Sequence, residues 1–170
     1  MRVLLAGGGT GGHINPAIAI ANEWKKCDPK AEFLFAATPG NMEDTLVLRA
    51  GYPVAHIQLA GFYRSLLPQD ILHNLKAAAW LATSDMKAAR IVRDFRPDFA
   101  VGTGGYLSGP IIRKAQKMGI PTFIHEQNAF PGVTSRLLAP GADIVFSAFA
   151  EAKDRLPQCR RFEVVGNPVR

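Results

Sequence analysis

The chain has 170 residues, of which 48% are apolar and 20% are charged, and its net charge is +6. This length and composition predict one soluble domain with a sizeable core, and they are short for two. The positive charge favours an anionic partner, and the candidates are nucleic acid, an acidic membrane surface and a phosphorylated substrate. No apolar run approaches the roughly 20 residues that span a bilayer, and the run after Arg2 is too short for a secretory signal. Cys27 and Cys159 fit no metal or redox spacing, so we expect two reduced thiols.

Apolar runs alternate with helical patterns along the whole chain. The predicted strands are 3–6, 32–37, 54–58, 98–101, 121–125, 142–146 and 161–165, and the predicted helices are 16–26, 42–50, 70–95, 110–118 and 134–139. Strands that alternate with helices form right-handed βαβ units around a parallel sheet. The sequence therefore predicts an α/β fold, a Rossmann-like doubly wound parallel sheet of about seven strands.

Three polar or glycine-rich stretches follow strands of this sheet, where ligands collect in such folds. The first is Gly7–His13, with five glycines in six positions, and the second is Gly102–Pro110. The third is the polar quartet His125–Asn128 at the end of a buried strand. Glycine lets backbone N–H groups approach a ligand, and the start of the following helix favours anions. We expect the three stretches to form one site that suits phosphate or pyrophosphate.

The first stretch matches G-x-G-x-x-G, but the second predicted strand ends without the carboxylate that a dinucleotide site needs for the ribose. A nicotinamide or flavin oxidoreductase is therefore disfavoured, and tight NAD(P) binding would be needed to support that hypothesis. The stretch is not a Walker loop either, because His13 stands where the lysine belongs.

Several side chains at these strand ends are candidates for chemistry. A neutral His13 can take a proton from a hydroxyl nucleophile, or it can simply bond to a nearby carbonyl. Glu126 can orient a substrate hydroxyl, act as the base or pair with a cation. Asn128 can bind a sugar or act only as a turn residue. His56, among apolar neighbours, reads as a hydrogen-bonded core histidine.

A separate signal lies in 61–68 and the helix after it. With Asp70 as the cap, helical projection puts Ile71, Ala82 and Ala89 on one face and Trp80 on the opposite face with lysines. A tryptophan among lysines resembles an interfacial membrane anchor, and a surface tryptophan packed under a loop is the alternative. The predicted membrane residues are Leu66, Leu67, Lys76, Trp80 and Lys87.

Four linked motifs resemble the N-terminal half of the MurG family over essentially the whole chain. They are Gly8–His13 followed by Ile-Asn-Pro, Gly102–Pro110, His125–Asn128 with Pro131-Gly132, and Gly166–Arg170. These bacterial glycosyltransferases move GlcNAc from UDP-GlcNAc onto the MurNAc 4-hydroxyl of lipid I, which makes lipid II for peptidoglycan synthesis. One departure is visible, since 37–43 only loosely replaces the family's Gly-Thr…Gly-Leu-Glu.

The resemblance implies one half of a GT-B enzyme, with metal-independent inverting transfer in the cleft between two domains. It implies that His13 is the base and that Glu126 supports the acceptor. It also implies UDP-GlcNAc contacts at Thr10, Gly11, Gly12, Asn128 and Arg170, and acceptor diphosphate contacts at Gly104, Gly105, Tyr106 and Ser108. No cofactor and no metal site are expected.

The family further implies a peripheral position on the cytoplasmic face of the bacterial membrane, so the expected partners are an anionic membrane and the lipid-linked acceptor, not nucleic acid. We expect residues 1–165 to form the acceptor domain and 166–170 to begin a linker toward a donor domain that this sequence does not contain. The isolated chain is then expected to be inactive. The alternative is a natural half-enzyme that recruits a separate donor subunit, and the two differ in whether the native reading frame continues past residue 170.

Overall fold

The computed structural model describes residues 1–61, 67–156 and 158–168, except the side chains of residues 68, 73, 76, 77, 81 and 82. The strands are β1 (Arg2–Gly7), β2 (Glu32–Ala37), β3 (Val54–His56), β4 (Phe99–Gly104), β5 (Thr122–Glu126), β6 (Ile144–Ser147) and β7 (Phe162–Val164). The helices are α1 (Gly11–Cys27), α2 (Met42–Arg49), α3 (Pro68–Phe95), α4 (Gly105–Lys117) and α5 (Val133–Leu138), with short 3-10 turns at Ala139–Gly141 and Ala150–Arg155.

The strands form one parallel sheet in the order β3-β2-β1-β4-β5-β6-β7. The order reverses between β1 and β4, and ligand crevices of open α/β sheets lie at such a switch point, outside the carboxyl ends of the strands. The prediction of a doubly wound parallel sheet of seven strands is confirmed.

Alternate residues of β1 belong to two separate apolar cores, one on each face of the sheet. Val3 and Leu5 pack with α1, whereas Leu4 and Ala6 pack with the face that α3 and α4 cover. All four side chains are fully buried. A strand that is buried on both faces needs no polar alternation, which is why this run is continuously apolar.

Two helices begin earlier than the sequence predicts. α1 begins at Gly11 instead of Pro16, and α4 begins at Gly105 instead of Pro110. Each proline is the sixth residue of its helix, so its missing N–H removes one hydrogen bond, to the carbonyl of Gly12 or of Tyr106. The two glycine-rich stretches are therefore tight strand-to-helix turns, and His13 lies within the first turn of α1.

The predicted cap of α3 was wrong, whereas the projection correctly puts Ile71 and Trp80 on opposite faces. The helix begins at Pro68, so Asp70 is not its cap, and Ile71 is 47% exposed. The buried stripe runs through Ser84, Ala88 and Val92, at i, i+4 and i+8. One turn before Ser84 this stripe reaches Trp80, which borders a cavity beyond the sheet.

Candidate functional site

The two glycine turns lie side by side at the carboxyl edge of the sheet. β1 and β4 are hydrogen-bonded neighbours, and Gly7 pairs with Gly104. The turns touch, since a Cβ on Gly105 would lie 1.9 Å from the carbonyl oxygen of Gly8. The predicted proximity of the two glycine stretches is therefore confirmed.

The first turn, Gly8–Thr10, leads into α1 and faces outward. Gly9, Thr10 and Gly12 are exposed, and Thr10 makes no side-chain cap to the helix. The first N–H groups of a helix have no partner within it and carry the positive end of its dipole. This turn can therefore receive an anion or a polar ligand from outside.

The second turn, at Gly104–Gly105, is filled by the protein's own atoms. Both glycines have positive φ, 99° and 77°. The Ser108 hydroxyl accepts from the Gly104 N–H at 3.1 Å and also bonds to the carbonyl oxygen of Ala6. Ser108 is 1% exposed, so its hydroxyl holds the turn against β1 and does not face the cavity.

His13 stands where the two turns meet. Its ring packs on Gly104, where a Cβ would lie 2.8 Å from the imidazole Cδ2. Its Nδ1 lies 3.1 Å from the carbonyl oxygen of Gly8 and 3.1 Å from the Thr10 hydroxyl. Because a carbonyl only accepts, we assign the proton to Nδ1 and the lone pair to Nε2, and the Thr10 hydroxyl is compatible with either tautomer. A histidine in this tautomer is arranged as a proton acceptor.

Two cavities flank His13. The larger, of about 670 Å³, is bordered by the first turn, by residues 58–61 and by Trp80 of α3. The smaller, of about 220 Å³, lies toward Glu126, Asn128 and the start of α5. His13, Gly105 and Tyr106 line both cavities. The structure thus brings His13, Glu126, Asn128, Gly104, Gly105 and Tyr106 together as the sequence predicts.

Glu126 is buried and organises its own loop. Its Oε1 accepts from the backbone N–H of Asn128 at 3.0 Å and from that residue's side-chain amide at 2.9 Å, and its Oε2 accepts from the Gly132 N–H at 3.2 Å. Both carboxylate oxygens therefore hold the loop between β5 and α5.

His125 connects this loop to the end of the described chain. Its Nε2 donates to the carbonyl oxygen of Gly166 at 3.0 Å, and its Nδ1 lies 3.1 Å from the Gln127 amide nitrogen. Burial lowers the pKa of His125, so this ring stays neutral near pH 7. The β5 end and the segment after β7 are thereby joined by a side chain.

Sequence reasoning assigned no role to Glu43, in α2. This carboxylate is 1% exposed and touches both turns, at the Gly9 N–H (3.3 Å) and the Tyr106 hydroxyl (3.1 Å). Burial first, and then the charge of Glu43, raises the pKa of Tyr106. An acid in the first turn of a helix is ordinary, so nothing local distinguished it.

Those predicted membrane residues that the structure describes do not form one patch. Trp80 is half-buried and lines the larger cavity, and Lys87 lines a separate groove with His56. Leu67 is 55% exposed, while Leu66, the Lys76 side chain and Arg170 lie outside the described residues.

The exposed apolar side chains of α3 lie on the other side of the helix from Trp80. They are Ile71, Leu72, Leu75 and Met86, and each is between 47% and 70% exposed. The sequence analysis put Ile71 on the face opposite Trp80, and the structure shows that this face is exposed. No helix within the described residues has the length and apolar content to cross a membrane.

His56 was expected in the core and is exposed instead. Its Nε2 lies 2.8 Å from Asp44 Oδ1, within hydrogen-bond distance, at the end of β3. β3 lies at the edge of the sheet and has three residues, so its last side chain faces solvent. The hydrogen bond was correctly expected, and the burial was wrong.

Known proteins with similar sequences agree with this architecture. The chain is 45% identical over 170 residues to the UDP-N-acetylglucosamine--N-acetylmuramyl-(pentapeptide) pyrophosphoryl-undecaprenol N-acetylglucosamine transferase of Alkaliphilus oremlandii, and 45% identical to the protein of that name from Ruminiclostridium cellulolyticum. Each alignment covers all of this chain but only 45% of the first protein and 46% of the second. The chain thus spans about half the length of the curated relatives it matches.

Solved structures give the same result. The crystal structure of Acinetobacter baumannii MurG is similar with a TM-score of 0.72 and 31% identity, over 99% of this chain and 46% of that one. The UDP-GlcNAc 2-epimerase of Neisseria meningitidis, at a TM-score of 0.68 and 18% identity over 98% of this chain and 46% of that one, shares the fold.

The model of the glycosyltransferase family 28 N-terminal domain matches residues 3–147, which include both glycine turns, His13, Glu126 and Asn128. These residues are most of the chain and contain six of the seven strands. The chain therefore belongs to the glycosyltransferase family 28 N-terminal domain family.

Proposed function

We propose that this chain is the acceptor-binding half of an inverting glycosyltransferase that moves GlcNAc from UDP-GlcNAc to the MurNAc 4-hydroxyl of lipid I and forms lipid II. The observation that carries the proposal is the position of His13. Its Nε2 is left as a proton acceptor between two cavities, at the junction of two glycine turns. The full-length relatives of similar sequence are named for this reaction.

In the proposed reaction, the muramyl hydroxyl lies beside His13. Nε2 takes the hydroxyl proton as the oxygen attacks the anomeric carbon of GlcNAc, and the bond from that carbon to UDP breaks with inversion. The pair of electrons leaves with the diphosphate oxygen. No metal ion takes part in this scheme, so a chelator such as EDTA is expected to leave the transfer step unchanged.

The larger cavity is the proposed place for the lipid-linked acceptor, with its diphosphate beside Gly105 and Tyr106 and close to Gly104, which lines the smaller cavity. Ser108 then supports this site without facing the cavity, because its buried hydroxyl holds the second turn. Trp80 adds an aromatic wall that the acceptor meets on entry. The donor sugar approaches the rim formed by Thr10, Gly11 and Gly12 and the loop of Asn128, and a contact from Arg170, which lies outside the described residues, stays a prediction.

We assign the base to His13 and a supporting role to Glu126. Both oxygens of Glu126 already accept hydrogen bonds from its own loop, so its carboxylate holds Asn128 in place. A base at His13 needs no such rearrangement, since the bond to Gly8 already sets its tautomer.

The proposed place of the protein is the cytoplasmic face of the bacterial membrane, as a peripheral protein. The apolar side of α3 supports it, since Ile71, Leu72, Leu75 and Met86 project from one helix next to exposed Lys87 and Arg90. Apolar side chains enter the headgroup region, and cations meet anionic lipid. Flotation with anionic vesicles tests this proposal, and the paired change Leu72→Glu and Leu75→Glu is expected to abolish it.

The test of the reaction is histidine substitution in the protein that continues this chain through its native reading frame. With a soluble lipid I analogue, His13→Ala is expected to lower kcat by about 10²–10⁴-fold, the usual contribution of a general base. His56→Ala removes an exposed histidine outside both cavities and is the matched control. Turnover that His13→Ala leaves near normal would overturn the assignment of the base.

The isolated chain is a second test, with the same assay. We expect no GlcNAc transfer by residues 1–170 alone, because the remaining half of the relatives' length is needed. Transfer by these residues alone would contradict the division of labour. A reading frame that stops at residue 170 would favour the half-enzyme with a separate donor subunit.

A further inference from the structure

The peptide unit between Gly8 and Gly9 is hydrogen-bonded at both ends. Its N–H, on Gly9, donates to Glu43 Oε2 at 3.3 Å. Its carbonyl, on Gly8, lies 3.1 Å from His13 Nδ1. The N–H and C=O of a trans peptide lie in its plane and point in opposite directions, so Glu43 and His13 bind opposite edges of one rigid peptide group.

Glu43 is fixed tightly in this position. Its side chain is 1% exposed, and its second oxygen accepts the Tyr106 hydroxyl at 3.1 Å. The Asn41 side-chain amide in turn donates to the Tyr106 hydroxyl at 3.0 Å, so the phenolic proton is directed toward Glu43. The carboxylate therefore has one orientation, with one oxygen for each glycine turn.

Close packing prevents this arrangement from relaxing. A Cβ on Gly8 would lie 3.0 Å from the Glu43 carboxyl carbon, and one on Gly9 would lie 2.9 Å from the Tyr106 ring. Glycine at both positions lets the carboxylate and the ring approach the backbone. The turn is therefore held against Glu43 as well as bonded to it.

The arrangement has a chemical consequence for the histidine. A carboxylate that accepts an amide N–H polarises the peptide, and the carbonyl at the other end becomes a stronger acceptor. A stronger acceptor at Gly8 keeps the proton on His13 Nδ1 and stabilises the positive charge that the ring gains when Nε2 takes a proton. Directly bonded carboxylates orient catalytic histidines in the same way.

We propose that Glu43 is a positioning residue that acts through the Gly8–Gly9 peptide to hold His13 in the tautomer with its lone pair on Nε2. This inference rests on the proposed function only for its effect on turnover, since the tautomer itself is a property of the free protein. Glu43 borders the larger cavity but is only 1% exposed, and its second bond keeps Tyr106 at the border of both cavities.

The first measurement is the tautomer of His13 without any substrate. In the full protein labelled with ¹⁵N at histidine, the ring nitrogen shifts are expected to show Nδ1 protonated and Nε2 unprotonated at neutral pH. Glu43→Gln keeps the size of the side chain and an oxygen for Gly9 but removes the charge, and it is expected to give a mixture of both tautomers. Asp44→Asn is the matched control, because it removes the neighbouring charge in the same helix turn and leaves Gly9 bonded.

The second measurement is turnover of the same variants. Glu43→Gln is expected to lower kcat by about 3–10-fold with the KM for UDP-GlcNAc unchanged, and Glu43→Ala by about 10–100-fold, as for other partners that orient a working histidine. Asp44→Asn is expected to stay within about twofold. If Glu43→Ala does not fold, the Gln variant still decides the matter.

We call the path from Glu43 through the Gly8–Gly9 peptide to His13 the relay. The two readouts separate this relay from the proposed function. A Glu43→Gln protein with the wild-type tautomer overturns the relay, whether or not its kcat falls, because a loss of kcat alone would be a packing effect. A mixed tautomer in a protein where His13→Ala keeps normal turnover supports the relay and overturns the base assignment instead.

Discussion

The two glycine turns have the same local plan, a buried strand followed by glycine and a helix, yet they face different partners. The first turn leaves Gly9, Thr10 and Gly12 exposed at the start of α1. In the second, Gly104 and Gly105 lie against His13 and Gly8, and the Ser108 hydroxyl occupies the Gly104 N–H. One turn is open toward a ligand, and the other is packed against the first.

The difference shows that glycine serves two purposes at the edge of one sheet. In the first turn the missing side chain leaves room for an external group at Gly12, while at Gly8 and Gly9 it admits Glu43 and Tyr106. In the second it leaves room for the protein itself, since a Cβ on Gly105 would overlap the Gly8 carbonyl oxygen at 1.9 Å. The open turn therefore depends on the packed turn for its shape. Substitutions that affect stability and ligand binding differently can test this division.

The largest effect is expected from Gly105→Ala. The new Cβ would overlap Gly8, and the residue would keep a φ of 77° that disfavours side chains. The two costs together are about 2–5 kcal/mol of unfolding free energy, measured by urea denaturation. Gly119→Ala is the control for backbone strain alone, because its φ is 73° and no atom lies within 4 Å of its Cβ. Equal losses in the two variants would show that the turns are not packed together.

A smaller loss is expected from Ser108→Ala. The change removes the buried hydroxyl that accepts from the Gly104 N–H, so a buried donor loses its partner. The expected cost is about 1–3 kcal/mol of unfolding free energy. Thr83→Ala removes an exposed hydroxyl that bonds only within α3 and should change stability by less than about 0.5 kcal/mol. A Ser108 variant as stable as the Thr83 control would mean that the hydroxyl does not hold the second turn.

Acid should weaken the surroundings of the first turn more than those of the second. The bond from the Gly40 N–H, and then His56, lowers the pKa of Asp44 below its ordinary value of 3.8. The folded state therefore binds this proton less readily than the unfolded state does. The contribution of Asp44 is complete above pH 3.8 and is lost as the pH falls through the lowered pKa.

The measurement is the difference in unfolding free energy between the wild type and Asp44→Asn, above and below that range. It is expected to shrink toward zero in acid. The corresponding difference for Ser108→Ala should not change with pH, because a hydroxyl does not titrate there. A pH-independent Asp44 difference would contradict the charge-based support that Asp44 gives to the Gly40 turn before α2.

The smallest effect on stability is expected from Gly11→Ala, and it has the opposite sign. Its Cβ would meet the Asn15 side-chain nitrogen at 3.5 Å, which is an ordinary contact, and the position is helical. Alanine there should raise the unfolding free energy by about 0.4–1 kcal/mol. In the full protein, the KM for UDP-GlcNAc should nevertheless rise, because the new methyl group narrows the open turn. A destabilised variant would show that this turn is packed as well.

The starts of α1 and α4 show what the sequence patterns could and could not predict. Periodicity identified α1 and α4, but both begin at the glycines and not at Pro16 and Pro110. Glycine carries no apolar signal, so the pattern became visible only where larger side chains began. The error placed His13 in a loop, although its neighbours were correctly expected.

α3 shows a different failure. Its N-terminal half has apolar residues on two sides, Trp80 toward the cavity and Leu75 toward solvent. A projection gives the angles between residues but not which side of the helix is buried. The buried stripe through Ser84, Ala88 and Val92 supplies the right phase, but only packing against the sheet identifies it.

The sequence by itself determined the order of strands and helices and the edge at which the glycines and polar residues gather. These follow from period and composition, because a parallel sheet aligns every carboxyl end on one side. Only the tertiary structure decided which glycine turn is open, which side of α3 meets the cavity, and that Glu43 lies behind His13. Those relations join residues tens of positions apart, and local patterns report how deeply a residue is buried but not which partner it meets.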